Sequence, residues 1–175
     1  MKTVSNFWPV YGLNKYQEPL LHIYVHMDKD TFYASARDDL SGPLHGIRVI
    51  ECTTAWAGPM AGCVLADLGA EVIKVEHPAG EMARHIGPFV PGDSELSLMN
   101  ETVNRNKRSL SLNMKEPEGR EIVLKLAKSA DVFLQNFKPG TMASWGLGYE
   151  DIKNVKKDIV YTSVSGFGQF GPHHQ

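Results

Sequence analysis

Cysteine, excess charge and long apolar runs are all scarce in this chain of 175 residues. Its two cysteines, Cys52 and Cys63, are too few for a disulfide framework, so we expect buried free thiols and a reducing compartment. A formal net charge of -2 and a pI near 6.4 give no basic excess, which disfavours nucleic acid and membrane surfaces as partners. Residues 1–9 hold one lysine and no long apolar run, so we predict neither secretory signal nor membrane anchor and expect a cytoplasmic protein.

Two further signatures are missing. No Gly-x-Gly-x-x-Gly or Walker-type loop opens any predicted helix, which disfavours the usual dinucleotide and triphosphate sites. His77 and His85 lack partner cysteines or carboxylates at metal-ligand spacing. We therefore interpret both as loop histidines and predict no metal site.

The composition and periodicity of the sequence change near residues 41–43. Residues 1–41 are rich in aromatics but show no sustained helical or strand period, and we treat them as an atypical leader. From Gly42 onward, short β-branched runs alternate with helical patterns, which predicts an α/β, Rossmann-like domain with a mostly parallel sheet and flanking helices over residues 42–175.

Five strands and three helices are predicted in this domain. The strands are residues 47–51, 71–75, 109–112, 132–134 and 159–161. The helices are an apolar one through Met60, Val64 and Leu65, one from Pro117 with a stripe at residues 122, 123, 126 and 127, and one over residues 149–155. Gly69 is expected to close the first helix in a left-handed conformation, and Asp67 to be a helix-end residue. Ligands of such sheets bind at the carboxyl ends of the strands.

Eight phrases, in this order and spacing, resemble the family III coenzyme A transferases. They are GPLHGIRV (42–49), AGP (57–59), LADLGAEVIKVE (65–76), NRNKRSL (104–110), PEGR (117–120), DVFLQNFKPG (131–140), GLGY (146–149) and SVSGFGQ (163–169). Individually these phrases recur by chance, but their order is specific. The resemblance covers residues 42–172 and implies the amino-terminal segment of the family fold, incomplete relative to the whole.

The resemblance implies a reaction in which coenzyme A (CoA) moves from an acyl-CoA to a carboxylic acid through an aspartyl-CoA thioester, which is nucleophilic covalent catalysis. The position that matches this aspartate lies beyond Gln175, so no catalytic residue is expected here. The alternatives are the acyl-CoA racemase branch of the family, or a non-catalytic module that pairs with another chain. The full-length family implies a homodimer. CoA or acyl-CoA is expected as substrate, with no covalently bound cofactor.

Part of a CoA site is nevertheless implied. The matching positions are Ala55, Trp56, Ala57, His77, Leu112, Lys115, Asn136 and Phe137. A lysine suits the CoA phosphates as a point charge, and an asparagine suits a pantetheine amide. Trp56, His77 and Ser144 depart from a glutamine and two arginines of formyl-CoA transferase, so that substrate is disfavoured. Arg105, Lys107 and Arg108 are open to two interpretations, as CoA contacts or as solvated surface charges.

The leader carries a rival signal. The phrase HMDKDTFYAS (26–35) resembles the first catalytic motif of Y-family DNA polymerases, in which aspartates hold magnesium. Ala36 and Arg37 depart from that motif, no second carboxylate motif follows, and no basic groove is predicted. We therefore interpret the phrase as a chance match or a fusion scar.

Overall fold

A computed structural model describes residues 41–174, with the side chains of Ser94 and Glu95 left out. Residues 1–40 of the predicted leader, with the polymerase-like phrase, lie outside the described residues. In the described part of the chain, no helix is long and apolar enough to cross a membrane.

A five-stranded parallel sheet forms the centre of the domain. Its strands are β1 (Arg48–Cys52), β2 (Glu71–Glu76), β5 (Arg108–Ser111), β6 (Val132–Gln135) and β7 (Val160–Ser163), in the order β5-β2-β1-β6-β7. The first strand, β1, is the central one. Strands β2 and β5 lie on one side of it, and β6 and β7, which follow later in the sequence, lie on the other. The predicted α/β class with a mostly parallel sheet is confirmed.

Helices cover both faces of the sheet. Helix α1 (Ala57–Asp67) packs on the face that includes Val49, Val72 and Leu134. Helices α3 (Pro117–Ala127) and α5 (Tyr149–Val155) cover the opposite face, where Ile50 and Phe133 are fully buried. Because both faces are covered, apolar residues stand next to one another in the central strands, as Val49-Ile50 in β1 and Val72-Ile73 in β2.

Several elements were not predicted from the sequence. A 3-10 helix (Met82–His85) and an antiparallel hairpin of β3 (Phe89–Val90) and β4 (Asp93–Ser97) lie between β2 and β5. Helix α2 (Leu98–Asn104) follows the hairpin, with the Ser97 hydroxyl accepting a hydrogen bond from the Asn100 amide at its start. The four-residue helix α4 (Thr141–Ser144) follows β6. The segment between β2 and β5 therefore contains a 3-10 helix, a hairpin and an α-helix that the sequence analysis did not predict.

The first predicted helix is confirmed through Met60, Val64 and Leu65. Its buried face is made of small residues, Gly58, Pro59, Gly62, Cys63 and Ala66, whereas Val64 is about half exposed. The predicted apolar stripe of the second helix is only partly buried. In α3, Val123 and Ala127 are buried but Ile122 is exposed. Gly69 has φ 98°, as expected for a left-handed helix end. Cys52 and Cys63 are both buried and free, as predicted.

Candidate functional site

A cleft of about 260 Å³ opens at the carboxyl ends of the parallel strands. It lies among the loops that follow β1, β2, β5 and β6, where a sheet of this kind binds its ligands. Its lining combines apolar and polar groups: Thr53, Thr54, Val75, Glu76, His77, Gly80, Glu81, Met82, Leu112, Asn113, Met114, Lys115, Phe137 and Trp145.

The structure brings half of the predicted site residues together in this cleft. His77, Leu112, Lys115 and Phe137 line it. Ala55, Trp56, Ala57 and Asn136 are not in the lining, although Thr53 and Thr54, which directly precede the first three, are. The His77 imidazole accepts a hydrogen bond at Nδ1 from the Ala79 amide and is exposed.

An aromatic corner with one cation forms part of the cleft. The Lys115 Nζ atom lies 5.5 Å from the centre of a Trp145 ring, and the Phe137 ring meets Trp145 edge to face at 5.1 Å. A lysine over an indole is held by the ring quadrupole. The arrangement therefore offers a ligand both a flat apolar surface and a positive charge. Trp145 was missed from sequence, because a single tryptophan after a short helix carries no local signal.

Asn136 joins the loops that follow β1 and β6, the two neighbouring parallel strands at which strand addition changes from one side of the sheet to the other. Its side-chain oxygen accepts from the Thr54 amide, and its side-chain nitrogen donates to the Thr54 carbonyl, both at 2.8 Å. These two bonds engage both ends of the amide group. Asn136 thus supports the loop of residues 53–56 from behind the cleft.

Ala55 takes an unusual backbone conformation in that loop. Its φ of 64° is left-handed, which costs a non-glycine residue roughly 1–2 kcal/mol. The Glu81 carboxylate accepts from the Ala55 amide at 2.8 Å and from the Thr54 hydroxyl at 2.9 Å. An ordinary hydrogen bond contributes about 0.5–1.5 kcal/mol even without a charged partner, so the two bonds to Glu81 together are large enough to offset this strain.

A second carboxylate in the cleft wall is neutralised by arginine. Glu76 accepts hydrogen bonds from Nε and Nη2 of Arg84 and from the Glu81 amide. Burial opposes ionisation of Glu76, but the hydrogen bonds and positive charge of Arg84 outweigh it and lower the pKa of the carboxyl group. Glu76 is therefore an ionised structural group rather than a free acid or nucleophile.

A buried ionic cluster lies beneath helix α1. Glu51 and Lys74 are register partners in β1 and β2, and Lys74 Nζ lies 3.2 Å from Glu51 Oε1. Lys107 Nζ lies 2.7 Å from Glu51 Oε2 and also donates to the Pro59 carbonyl. The side chains of Glu51, Lys74 and Lys107 are at most 3% exposed. Charged residues inside otherwise apolar strand patterns were the sequence signal for this cluster.

Neither interpretation of Lys107 from sequence is correct. The side chain is neither a solvated charge nor positioned to contact a ligand in the cleft, because its donors are used by Glu51, Pro59 and Asn104. Burial lowers the pKa of the Lys107 ammonium group below its ordinary value, although the Glu51 carboxylate opposes the shift.

The neighbouring arginines are also away from the cleft lining. Arg105 and Asn106 both donate to the Asp67 carboxylate at the end of α1, which confirms Asp67 as a helix-end residue. Arg108 is mostly exposed and pairs with Glu71 at the amino ends of the strands. Arg105 and Lys107 therefore contact residues of α1, and Arg108 contacts a strand of the sheet. None of these three residues lines the cleft.

Small residues in α1 are needed by this cluster. A Cβ atom at Gly62 would lie 1.8 Å from Glu51 Oε2, and one at Gly58 would lie 2.7 Å from Thr53 and 2.8 Å from Asn136. The helix backbone can approach the buried carboxylate and the loop only because these side chains are absent.

Among the described side chains of residues 41–174, no group of three or more His, Cys, Asp or Glu is placed to hold a metal ion.

Comparison with known proteins gives consistent matches over this domain. The model of "CoA-transferase family III" matches residues 44–175. Mouse (Mus musculus) succinyl-CoA:glutarate CoA-transferase is 48% identical over 136 residues, which are 77% of this chain and 30% of the relative. A probable fatty acyl-CoA transferase of Mycobacterium tuberculosis is 44% identical over 131 residues, 75% of this chain and 33% of the relative.

Solved structures agree with the sequence matches. A crystal structure of Rv3272 from M. tuberculosis has a TM-score of 0.71 at 42% identity, over 77% of this chain and 37% of that one. A CAIB/BAIF family protein from Brucella suis has a TM-score of 0.72 at 40% identity, over 77% of this chain and 36% of that one. The chain therefore spans about a third of the length of the relatives it matches.

Proposed function

This chain belongs to CoA-transferase family III, and from that membership we propose that its cleft binds the CoA portion of an acyl-CoA. In the whole protein, CoA would move from the acyl-CoA to a carboxylic acid through an aspartyl-CoA thioester. The observation that carries the proposal is the corner of Lys115, Trp145 and Phe137 at the carboxyl ends of the strands.

The chemistry of CoA suits this cleft. Its phosphates call for a cation, which Lys115 supplies, and its adenine calls for a flat apolar surface, which Trp145 supplies. The pantetheine arm is a slender chain with amide groups, suited to Leu112, Met114 and the hydroxyls of Thr53 and Thr54. Typical pockets for drug-sized ligands measure ~300–1,000 Å³, so a cleft of about 260 Å³ suits part of CoA rather than all of it.

The acid groups of the cleft favour binding over catalysis by these residues. Glu76 is held by Arg84, and Glu81 by the loop of residues 53–56. A carboxylate that attacks a thioester must have a free oxygen facing the reacting carbon. We therefore propose that neither Glu76 nor Glu81 is the nucleophile and that residues 41–174 bind CoA without supplying the attacking carboxylate.

The two named relatives favour transfer over racemisation, because both carry names of CoA or acyl-CoA transferases. The acids in these names differ, since one name gives succinyl-CoA and glutarate and the other a fatty acyl-CoA. The CoA moiety is what the named reactions share, so the proposal commits to CoA and to a carboxylic acid as the second substrate.

The proposal includes a homodimer in the full-length protein. Strand β7 is at an edge of the parallel sheet, Val160 is 58% exposed, and Phe167 and Phe170 are 76% and 87% exposed. Contiguous exposed apolar side chains are typical of surfaces that are covered in an assembly, and we propose that these residues contribute to such a surface. Size-exclusion chromatography with light scattering measures the mass directly, and a well-folded monomer at high concentration would count against association through these residues.

Two assays test the proposed function. Calorimetric titration should show saturable CoA binding, weakened about fivefold by Trp145→Leu through loss of the aromatic surface. Phe89→Leu, an aromatic substitution outside the cleft lining, is the matched control and should bind as the unsubstituted chain does. Acyl transfer is measured separately, and robust turnover would contradict the proposal that residues 41–174 supply no attacking carboxylate.

A further inference from the structure

Thr53 and Thr54 of the loop of residues 53–56 line the cleft, and the buried carboxylate of Glu81, which also lines it, holds this loop. We propose that Glu81 is a positioning residue: it fixes the left-handed conformation of Ala55 and thereby the shape of the cleft lining that meets CoA. The identity of the ligand, CoA, rests on the proposed function. The hydrogen bonds between Glu81 and the loop are present whatever the ligand is.

Glu81 reaches the loop with a single oxygen. Oε2 accepts from the Ala55 amide at 2.8 Å, from the Thr54 hydroxyl at 2.9 Å and, more weakly, from the Ala83 amide at 3.4 Å. Oε1 lies 3.8 Å from Lys74 Nζ and 3.5 Å from Asn104 Nδ2. The side chain is 5% exposed, so it has one well-defined position.

The other supports of the loop act on different atoms. Lys74 donates to the Thr53 carbonyl at 3.1 Å, and Asn136 brackets the Thr54 backbone. The hydrogen bond described for the Ala55 amide, the group at the left-handed residue, goes to Glu81. The strained conformation therefore depends on the reach of this one carboxylate.

A role of Glu81 through its side-chain length and a role through its negative charge predict opposite effects on the affinity for CoA. If Glu81 acted only through its negative charge beside a polyanion, removing that charge would tighten binding. If it acts by holding the loop, the position of the acceptor oxygen matters and the charge matters little. Glu81→Asp keeps the charge but is one methylene too short, whereas Glu81→Gln keeps an oxygen at the same reach and removes the charge.

The experiment titrates CoA into the unsubstituted chain, Glu81→Asp and Glu81→Gln by calorimetry, and follows hydrogen exchange of the Ala55 amide by NMR. Ser97→Ala is the matched control. It removes a buried side-chain acceptor of a backbone amide, at the start of α2, and Ser97 has no described contact to the loop. We expect Glu81→Asp to bind CoA about tenfold more weakly with faster Ala55 exchange, and Glu81→Gln to stay within about threefold of the unsubstituted chain.

Three kinds of result would count against the proposal or its premise. Unchanged CoA affinity in Glu81→Asp, or tighter binding in Glu81→Gln, would refute the positioning role. An equal loss of affinity in Ser97→Ala would show that general destabilisation is responsible. Absence of CoA binding by the unsubstituted chain would refute the proposed function itself, and is thereby distinguished from the other two.

Discussion

Replacing Lys107 with methionine tests the buried cluster beneath α1. The Lys107 ammonium group donates to Glu51, Pro59 and Asn104, and its side chain is 2% exposed. Methionine fills a similar volume but supplies no donor, so Glu51 keeps only Lys74 and the Thr53 hydroxyl as partners. Breaking a buried ion pair on one side leaves a buried charge partly uncompensated.

The expected loss of stability is large for one substitution. Removing one partner of a buried pair costs about 3–5 kcal/mol, and because Lys74 remains beside Glu51 we expect ~3 kcal/mol. For a domain of this size, that corresponds to a fall in Tm of roughly 6–12 °C. Urea unfolding followed by circular dichroism measures the change directly, and an unchanged m-value would show that the unfolded state is unaffected.

Arg108→Met is the matched control. Arg108 is the next residue, carries the same charge and forms an ion pair with Glu71, but its side chain is 74% exposed. Exposed pairs contribute at most ~1 kcal/mol, so this variant should be close to the unsubstituted chain. If Lys107→Met lost no more stability than Arg108→Met and instead weakened CoA binding, the buried-cluster account would be wrong and Lys107 would be a ligand contact.

Further predictions concern packing, charge and pH. Gly62→Ala places a Cβ atom 1.8 Å from a buried carboxylate oxygen and should lower the free energy of unfolding by about 1–3 kcal/mol, whereas Gly166→Ala, with no atom within 4 Å, should change it little in the same urea titration. Lys115→Met should weaken CoA binding about fivefold and reduce its salt dependence, which calorimetry at two ionic strengths would reveal. The pKa of Glu76 is lowered in the folded state despite burial, because Arg84 stabilises its charge; that stability is present above the ordinary value of 4.5 and is lost as pH falls through the folded-state pKa. Glu76→Gln should therefore flatten the loss of stability below pH 4.5, and an unchanged acid-unfolding curve would contradict this.

The hydrophobic periodicity of the sequence was sufficient to predict some strands and helices. Strand β2 and helix α5 are found within one residue of their expected bounds, because apolar and polar residues alternate or recur at the matching spacing. Pro117 at the first position of α3 and left-handed Gly69 also follow from backbone sterics alone. These features depend on only a few neighbouring residues.

The missed elements depend on contacts between distant residues. Strand β4 has little apolar alternation and is completed by its hairpin partner, and α2 has only seven residues. Similarly, Lys107 has charged neighbours in the sequence, and only the fold brings Glu51, 56 positions away, beneath it. Glu81 was missed for the same reason, since the amide it holds belongs to a loop 26 positions earlier.

Calorimetric titration of CoA into this chain tests the central claim most directly. The account predicts saturable binding by the folded chain, with weaker binding of dephospho-CoA because the cleft presents a cation to the phosphates. Circular dichroism on the same sample establishes that the protein is folded. A folded chain that gives no saturable signal at millimolar CoA would contradict the account.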